Sequence, residues 1–246
     1  MGPAVTCGCK LSSGKQVLSL PARLEPRFLA GLGKAELVSV LSAARHQRLG
    51  RSAVIVHEGD PAERLFLLTS GHGRHFVTTG AGRKILLHWL TAGQIFGGAA
   101  LLSNPFRYLA STELQDDGCA LVWERQVIRD YMSSYPALID NTLSIAVTEY
   151  IAWLVATQSS LTSDDAKGRV AHLLVSLSCG VGKPVLDGIE LHVTNEDLAA
   201  GANVTPFTVS RTLNEWQRAG ILTKGRRKVV LRNLNLLATS VANTLE

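Results

Sequence analysis

The sequence predicts an α+β chain in three parts: an antiparallel β-roll, a long helix, and a helix-turn-helix followed by a small β-wing. Three observations predict it. Short apolar runs punctuated by glycine recur between Val54 and Leu90, no Gly or Pro interrupts Ala137 to Ser160, and two capped helical segments stand back to back before a strand-turn-strand run.

Bulk properties set the frame. A chain of 246 residues exceeds one average domain, so two domains are the natural expectation. Hydrophobic residues at 46% and charged residues at 18% give a globular balance, far from the composition of disordered chains. The net charge of +5 is compatible with a polyanionic partner, but its distribution must decide. No apolar run reaches the roughly 18 residues that a membrane span needs. The start Met1-Gly2-Pro3-Ala4-Val5-Thr6-Cys7 lacks a basic stretch leading into an apolar one, so the expectation is a cytoplasmic protein with no membrane partner. Four cysteines do not make a disulfide scaffold at this size and read as thiols or metal ligands.

The elements follow in order. After a small-residue N-terminal extension (1–25), Leu37 to Leu49 reads as a short amphipathic helix running into a first strand. Val54-Ile55-Val56 leads into a turn at His57-Glu58-Gly59-Asp60-Pro61, and Leu65-Phe66-Leu67-Leu68 is a strand stopped by Gly71. Gly80-Ala81-Gly82 separates His75-Phe76-Val77 from Ile85 to Leu90. Strands this short, with a turn about every ten residues, suggest a small barrel or roll over 26–135. Arg125 to Met132 is a short helix, and Pro136 sits where the next can start. In the long helix (136–161), Ile139, Leu143, Ala146, Tyr150 and Trp153 recur at spacings of four and three, a seam that wants a partner helix. Its length, roughly 36 Å at 1.5 Å per residue, points to a connector or dimerisation helix.

The second domain (162–246) starts at Leu161-Thr162-Ser163-Asp164, whose hydroxyl and carboxylate groups can cap a helix running to about Ser178. A Gly-rich loop, Cys179 to Pro184, leads to Gly188-Ile189-Glu190-Leu191. Thr194 then caps Asn195 to Gly201, Ala202-Asn203-Val204 breaks the chain, and Thr205 caps a second helix with Pro206 at its first position. Ile221-Leu222, Lys224-Gly225-Arg226-Arg227-Lys228 and Val229-Val230-Leu231 alternate strand, turn and strand, making the wing.

The chemistry concentrates on the second helix and the wing. Val209, Leu213 and Trp216 face inward at helical spacing, which leaves Phe207, Thr208, Ser210 and Arg211 on the other face. Arginine can pair bidentately with guanine O6 and N7, and hydroxyls with helix N-terminal amides bind phosphate. Between 205 and 232, Arg211, Arg218, Lys224, Arg226, Arg227, Lys228 and Arg232 stand against Glu215 alone. A basic run is ordinarily a solvated face. Beside a helix-turn-helix it becomes a footprint for double-stranded DNA, with Thr194, Thr205, Pro206, Phe207, Thr208, Ser210, Arg211, Lys224, Arg226, Arg227 and Lys228 as its residues. Nucleophile elbows, zinc-binding His-Glu helices, P-loops and dinucleotide fingerprints are absent from the sequence, which argues against an enzyme.

From about Leu37 to Leu237 the chain resembles the CRP/FNR family of bacterial regulators. The resemblance is carried by Val193-Thr194-Asn195-Glu196-Asp197-Leu198-Ala199 and Val204-Thr205-Pro206-Phe207-Thr208-Val209-Ser210-Arg211, and in the front half by Glu58-Gly59-Asp60, Ser70-Gly71, Gly93-Gln94-Ile95-Phe96-Gly97 and Leu101-Leu102. It implies a cyclic-nucleotide-binding-like β-roll, a dimerisation helix and a winged helix-turn-helix. It further implies a homodimer on a palindromic operator, with RNA polymerase and a small-molecule or redox effector as partners. The alternative is a dimeric ligand-binding or redox-sensing module that no longer binds DNA specifically; Ser210, Arg211 and the basic wing argue against it, since packing needs none of them.

The resemblance also assigns an effector cassette: Gly97, Gly98, Ala99, Arg107 and Tyr108. In members that bind cyclic AMP, a Glu follows the cassette glycine to hold the ribose hydroxyl, and an Arg meets the cyclic phosphate. Here Gly98 takes the Glu position, Arg107 is in register for the phosphate, and Tyr108 replaces the usual small hydroxyl residue. The missing acceptor costs roughly 1–3 kcal/mol, which argues against cyclic AMP. Other members hold an iron–sulfur cluster on N-terminal cysteines plus one late in the roll, a pattern to which Cys7, Cys9 and Cys119 bear a partial likeness, one ligand short. A haem is a third alternative, with His57, His72, His75 and His88 all in the roll. The effector and any cofactor stay open. Phe207 stands where many members carry a Glu that accepts from a cytosine amine.

Overall fold

The structure, a computed structural model, describes residues 20–21, 24–80, 82, 84–151, 154–155, 157–158 and 165–237, without the side chains of 179 and 180. The chain divides into two compact units, Met1–Val77 with Leu90–Tyr150, and Thr78–Trp89 with Ile151–Glu246. The tip of the hairpin at 78–89 therefore groups with the C-terminal unit, which a linear parse does not express.

In the first unit, helix α1 (Lys34–Ser42) starts at Gly33, whose amide donates to Glu36 Oε2 at 2.8 Å. It ends at Ser42, and β1 (Arg45–Leu49) begins straight after a bend, so the Leu37–Leu49 run is a helix leading into a strand. The roll has two four-stranded sheets. One has the order β1-β8-β3-β6, built from β1, β3 (Arg64–Ser70), β6 (Ile95–Phe96) and β8 (Gly118–Glu124). The other has the order β2-β7-β4-β5, built from β2 (Val54–Val56), β4 (His72–Thr78), β5 (Lys84–Thr91) and β7 (Ser111–Leu114). The pairs β1–β8, β3–β8, β3–β6, β2–β7 and β4–β7 are antiparallel.

Strand β3 is apolar on both faces, and the period of two explains why. Phe66 and Leu68 join Phe96, Leu114, Ala120 and Val122 inside the roll, with Phe66 and Phe96 stacked at 4.7 Å. Leu65 and Leu67 point the other way and pack with Leu121 and Trp123 under Phe28, Val40, Leu41, Ile128 and Leu138. Trp123 is fully buried, and its indole N–H donates to the Val40 carbonyl at 2.8 Å.

Helix α2 (Arg125–Ser134) precedes α3 (Pro136–Ile145), which starts on proline as read from the sequence. The continuous α-helix expected over 136–161 is interrupted: Ala146–Ile151 is a π-helical segment. Polar bonds hold it in place. Glu149 accepts from Arg27 Nη1 at 2.8 Å and from Gln94 Nε2 at 3.1 Å, and Arg27 Nη2 donates to Ser144 and Thr148. A π turn takes up an extra residue and rotates the faces that follow. The apolar seam changes accordingly. Tyr150 turns into the core, burial raising its phenol to about 12, and Ala146 is half-buried. The exposed apolar residues are instead Ile139, Leu143 and Val147, then Ile151, Leu154 and Val155 past the unit boundary. Trp153 and 159–164, with the expected domain boundary, lie outside the described residues.

The second unit contains α4 (Ala166–Gly180), β9 (Lys183–Val185), β10 (Gly188–Leu191), α5 (Asn195–Ala202), α6 (Pro206–Arg218), β11 (Leu222–Gly225) and β12 (Lys228–Leu231). Its sheet has the order β11-β12-β10-β9. Asp165 caps α4, accepting from the Gly168 amide at 2.6 Å. Val170, Leu174, Leu191, Leu198, Val209, Leu213, Trp216, Leu222 and Leu231 form one buried core that every element of this unit except β9 enters. At Gly188 (φ +140) a Cβ would lie 2.0 Å from the Leu231 carbonyl, so only glycine lets β10 approach β12.

Candidate nucleic-acid interface and effector cassette

The reading head is assembled by two caps and one left-handed residue. Thr194 Oγ1 accepts from the Asp197 amide at 3.1 Å while Asp197 Oδ2 accepts from the Thr194 amide at 3.0 Å, a reciprocal box that starts α5. Asn203, at φ 50, ends α5 and turns the chain, asparagine being one of the few side chains that tolerate this region. Thr205 Oγ1 then accepts from the Thr208 amide at 3.1 Å, and Pro206 opens α6. Thr194 and Thr205 are thereby caps first.

On α6, Val209, Thr212, Leu213 and Trp216 are buried. The opposite stripe is Phe207, Arg211, Asn214 and Arg218, at intervals of four, three and four. Phe207 is 77% exposed, so its ring does not fold back on α5. Thr208 and Ser210 flank this stripe half-buried rather than lying in it. Arg211 donates from Nε to Glu215 Oε1 at 3.2 Å, and Glu215 Oε2 accepts from Lys167 Nζ at 3.1 Å. The Lys167 ammonium, and after it Arg211, hold the Glu215 carboxyl below the usual carboxylate range.

Beside this stripe the β11–β12 hairpin carries the basic tip. Gly225 pairs with Lys228, leaving Arg226 and Arg227 at the turn, both exposed. Arg227 stands at φ 57, where glycine or asparagine would be the comfortable choice. Lys224 reaches Asn214 Oδ1 at 2.8 Å, tying the wing to α6. Lys228 donates to Glu190 Oε2 at 2.7 Å, and this bond, with His192 nearby, keeps the Glu190 carboxyl below its ordinary range. Lys228 thus anchors the wing's base, and Arg226 and Arg227 make no ion pair among the described residues. Asn214 and Lys167 carry no signal of this role in the sequence, and Glu215 stands out there only as the lone acid among the basic residues. The i, i+4 spacing of Arg211 and Glu215 was a visible signal for one pair, while Lys167 meets Glu215 only through the fold.

In the first unit, Gly97 is left-handed (φ +77), and a Cβ there would lie 2.7 Å from the Arg64 carbonyl and 3.3 Å from Tyr108 Cε1. Gly98 and Ala99 open the 3-10 turn Gly98–Leu101. Tyr108 is buried, its hydroxyl donating to the Arg64 carbonyl at 2.8 Å and accepting from the Arg64 amide at 3.0 Å. Burial raises its phenol. Arg107, in register for the phosphate, is exposed, and its Nη1 donates to the Gly59 carbonyl at 2.5 Å. A backbone bridge pairs residue 107 with Pro61.

The cofactor candidates fall apart in space or out of view. Cys119 is buried in β8, whereas Cys7 and Cys9 lie outside the described residues. His57 is exposed in a turn, His72 pairs with Asp116 at 2.8 Å, His75 is buried against Thr112 at 2.9 Å, and His88 is half-buried in β5. Among the described residues no group of three or more His, Cys, Asp or Glu side chains is placed to hold a metal ion, and no helix is long and apolar enough to cross a membrane.

Residues 168–240 match the Crp-like helix-turn-helix domain and residues 46–135 match the cyclic nucleotide-binding domain. Among similar curated proteins, the cyclic AMP receptor protein of Thermus thermophilus is 26% identical over 84% of this chain and 93% of its own length. The anaerobic regulatory protein of Bacillus subtilis is 24% identical over 84% of this chain and 87% of its own. The chain belongs to the CRP/FNR family of transcription regulators. FixK2 of Bradyrhizobium japonicum shares the fold with a TM-score of 0.70 at 22% identity, covering 80% of this chain and 96% of that one. A variant of CooA from Carboxydothermus hydrogenoformans does so with a TM-score of 0.69 at 23% identity, covering 91% and 98%. As a CRP/FNR regulator, the chain binds DNA through its helix-turn-helix, and the α+β architecture read from the sequence is the one it has. Against the cyclic AMP pattern that the resemblance implies it differs in residue type at Gly98 and Tyr108.

Proposed function

We propose that this regulator is a homodimer that binds a palindromic operator, reading bases with Phe207 and Arg211 and gripping phosphates with Thr205, Thr208, Ser210, Lys224, Arg226, Arg227 and Lys228. The observation that carries this reading is the exposed Phe207–Arg211–Asn214 stripe beside a wing tip of two exposed arginines. The exposed Ile139, Leu143, Val147 and Ile151 support pairing with a second copy, as an apolar helix face of this spacing is costly to leave in water. The domain assignment follows: sensing over 26–135, dimerisation over 136–161, DNA reading over 162–246. RNA polymerase is the partner downstream, and the protein works in the cytoplasm.

The effector is a small molecule or redox signal other than cyclic AMP. Gly98 offers no acceptor to a ribose hydroxyl, and the Tyr108 hydroxyl is engaged at both ends by Arg64. Selection from a random duplex pool, followed by gel shift at low and raised salt, tests the proposal. Two inverted half-sites with centres about one helical turn, 34–36 Å, apart are expected. A single asymmetric site bound by a monomer would overturn it.

A further inference from the structure

Arg211 is held before it meets DNA. A guanidinium carries five N–H donors in one rigid plane. Among the described contacts Arg211 uses only Nε, which donates to Glu215 Oε1 at 3.2 Å. The two Nη groups at the far end stay available as a fork, on a side chain that is 75% exposed. Two parallel donors of this kind match guanine O6 and N7. Glu215 is fixed from its other side, since Oε2 accepts from Lys167 Nζ at 3.1 Å, in the first turn of α4. Its side chain is only 35% exposed, so the anchor is more enclosed than the arginine it holds.

We propose that Glu215 is a positioning residue for DNA reading, holding Arg211 through Nε, itself held by Lys167, so that the outer fork of the guanidinium is aligned for a guanine. The proposal rests on the reading of Arg211 as the base-contacting arginine. An exposed i, i+4 ion pair contributes little to stability, so its effect is sought in orientation. An arginine already held along one edge loses less rotamer freedom on pairing than one that samples solvent. With its pKa lowered by Lys167 and Arg211, Glu215 stays ionised at the neutral pH of binding measurements. Lys167 makes the alignment depend on how α4 packs against α6, two helices of one core.

The test uses the full chain and a duplex selected from a random pool. Affinities at one fixed salt concentration are measured for that duplex, for the same duplex with each guanine replaced by adenine, and for random duplex. Arg211→Ala identifies the guanine it reads by abolishing preference at one pair. Glu215→Leu is expected to lower that same preference at least about fivefold, the low end of what one bidentate arginine–guanine pair provides. Random duplex should bind as in the parent protein or slightly tighter, because a negative charge is gone. Glu215→Gln keeps an acceptor for Nε and should retain most of the preference, and Lys167→Met should fall between the two. If Glu215→Leu does not fold, the comparison of Glu215→Gln with Lys167→Met carries the test. Unchanged preference in Glu215→Leu and Lys167→Met, with loss in Arg211→Ala, overturns the positioning role and leaves the reading of Arg211 intact. No loss in Arg211→Ala overturns both. Selective tightening on the guanine duplex in Glu215→Leu would make Glu215 a competitor for Arg211, and also overturns the proposal.

Discussion

At the scale of the residue, two side chains on the DNA-facing surface break local expectations. Phe207 puts an aromatic ring in water, 77% exposed, at a position where the family resemblance implies a hydrogen-bonding Glu. A ring cannot accept from a cytosine amine, but it can lie against a thymine methyl. The preferred pair there should be A·T, and Phe207→Glu should shift selection on randomised half-sites toward G·C. Its unfolding free energy should stay within the range of an ordinary surface change, about 0.5 kcal/mol. Recovery of the same base by both proteins would end that reading. Arg227 holds a left-handed backbone (φ 57) at the wing tip. Exchange to glycine relieves that strain, offset by glycine's larger entropy loss, for a net gain of up to about 1 kcal/mol in unfolding experiments. The same exchange should weaken all DNA sequences alike and reduce the salt slope by about one. A wing arginine that stabilised the fold and did nothing for DNA would give the opposite pair of results.

At the scale of the element, the π segment Ala146–Ile151 decides which helix face is left for a partner. Val147 is exposed and Tyr150 is packed in the core. Val147→Glu should therefore weaken the dimer at least tenfold in sedimentation equilibrium without loss of helix signal, since a carboxylate would be buried unpaired at the seam. Tyr150→Phe should leave the dimer unchanged, because this residue faces its own domain. The wing makes a pH prediction. Glu190 has a lowered carboxyl pKa because of Lys228, so its contribution is fully present above the ordinary glutamate value of about 4.3 and is lost as pH falls through the depressed folded value. The melting temperature of Glu190→Gln should thus lie below the parent's at pH 7, and the gap should close as the pH falls through the depressed Glu190 value. A gap of constant size would exclude the Lys228 pair as the cause.

At the scale of the whole molecule, the roll has the family's frame, with Gly98 where the resemblance to cyclic AMP-binding members implies a Glu acceptor. Gly98 cannot accept a hydrogen bond by side chain, and Arg107 and Tyr108 are bonded to backbone of the roll itself, at Gly59 and Arg64. An unmade ribose hydrogen bond alone removes about one to two powers of ten in affinity. Calorimetric titration with cyclic AMP should give no saturable heat at micromolar concentration, and operator affinity should not respond to it. Micromolar binding with tighter operator capture would contradict this.

The sequence by itself determined the order of the parts, because each left a local signal: glycine-spaced strands, a stretch without Gly or Pro, and threonine caps at Thr194 and Thr205 followed by Pro206. The buried stripe of the second helix was legible for the same reason, since Val209, Leu213 and Trp216 repeat at the helical period. Tertiary structure decided what local signals cannot carry. The seam shifted from Ala146 and Tyr150 to Val147 and Ile151 because Arg27 and Gln94, distant in sequence, hold Glu149 in a π turn. The Arg107 guanidinium found a carbonyl partner at Gly59, distant in sequence, where residue 107 bridges to Pro61. Lys167 joined the reading head only when α4 packed on α6. Periodicity fixes which face of an element is apolar, but long-range polar contacts fix its register and the direction of a charged side chain, and these depend on neighbours that the sequence leaves far apart.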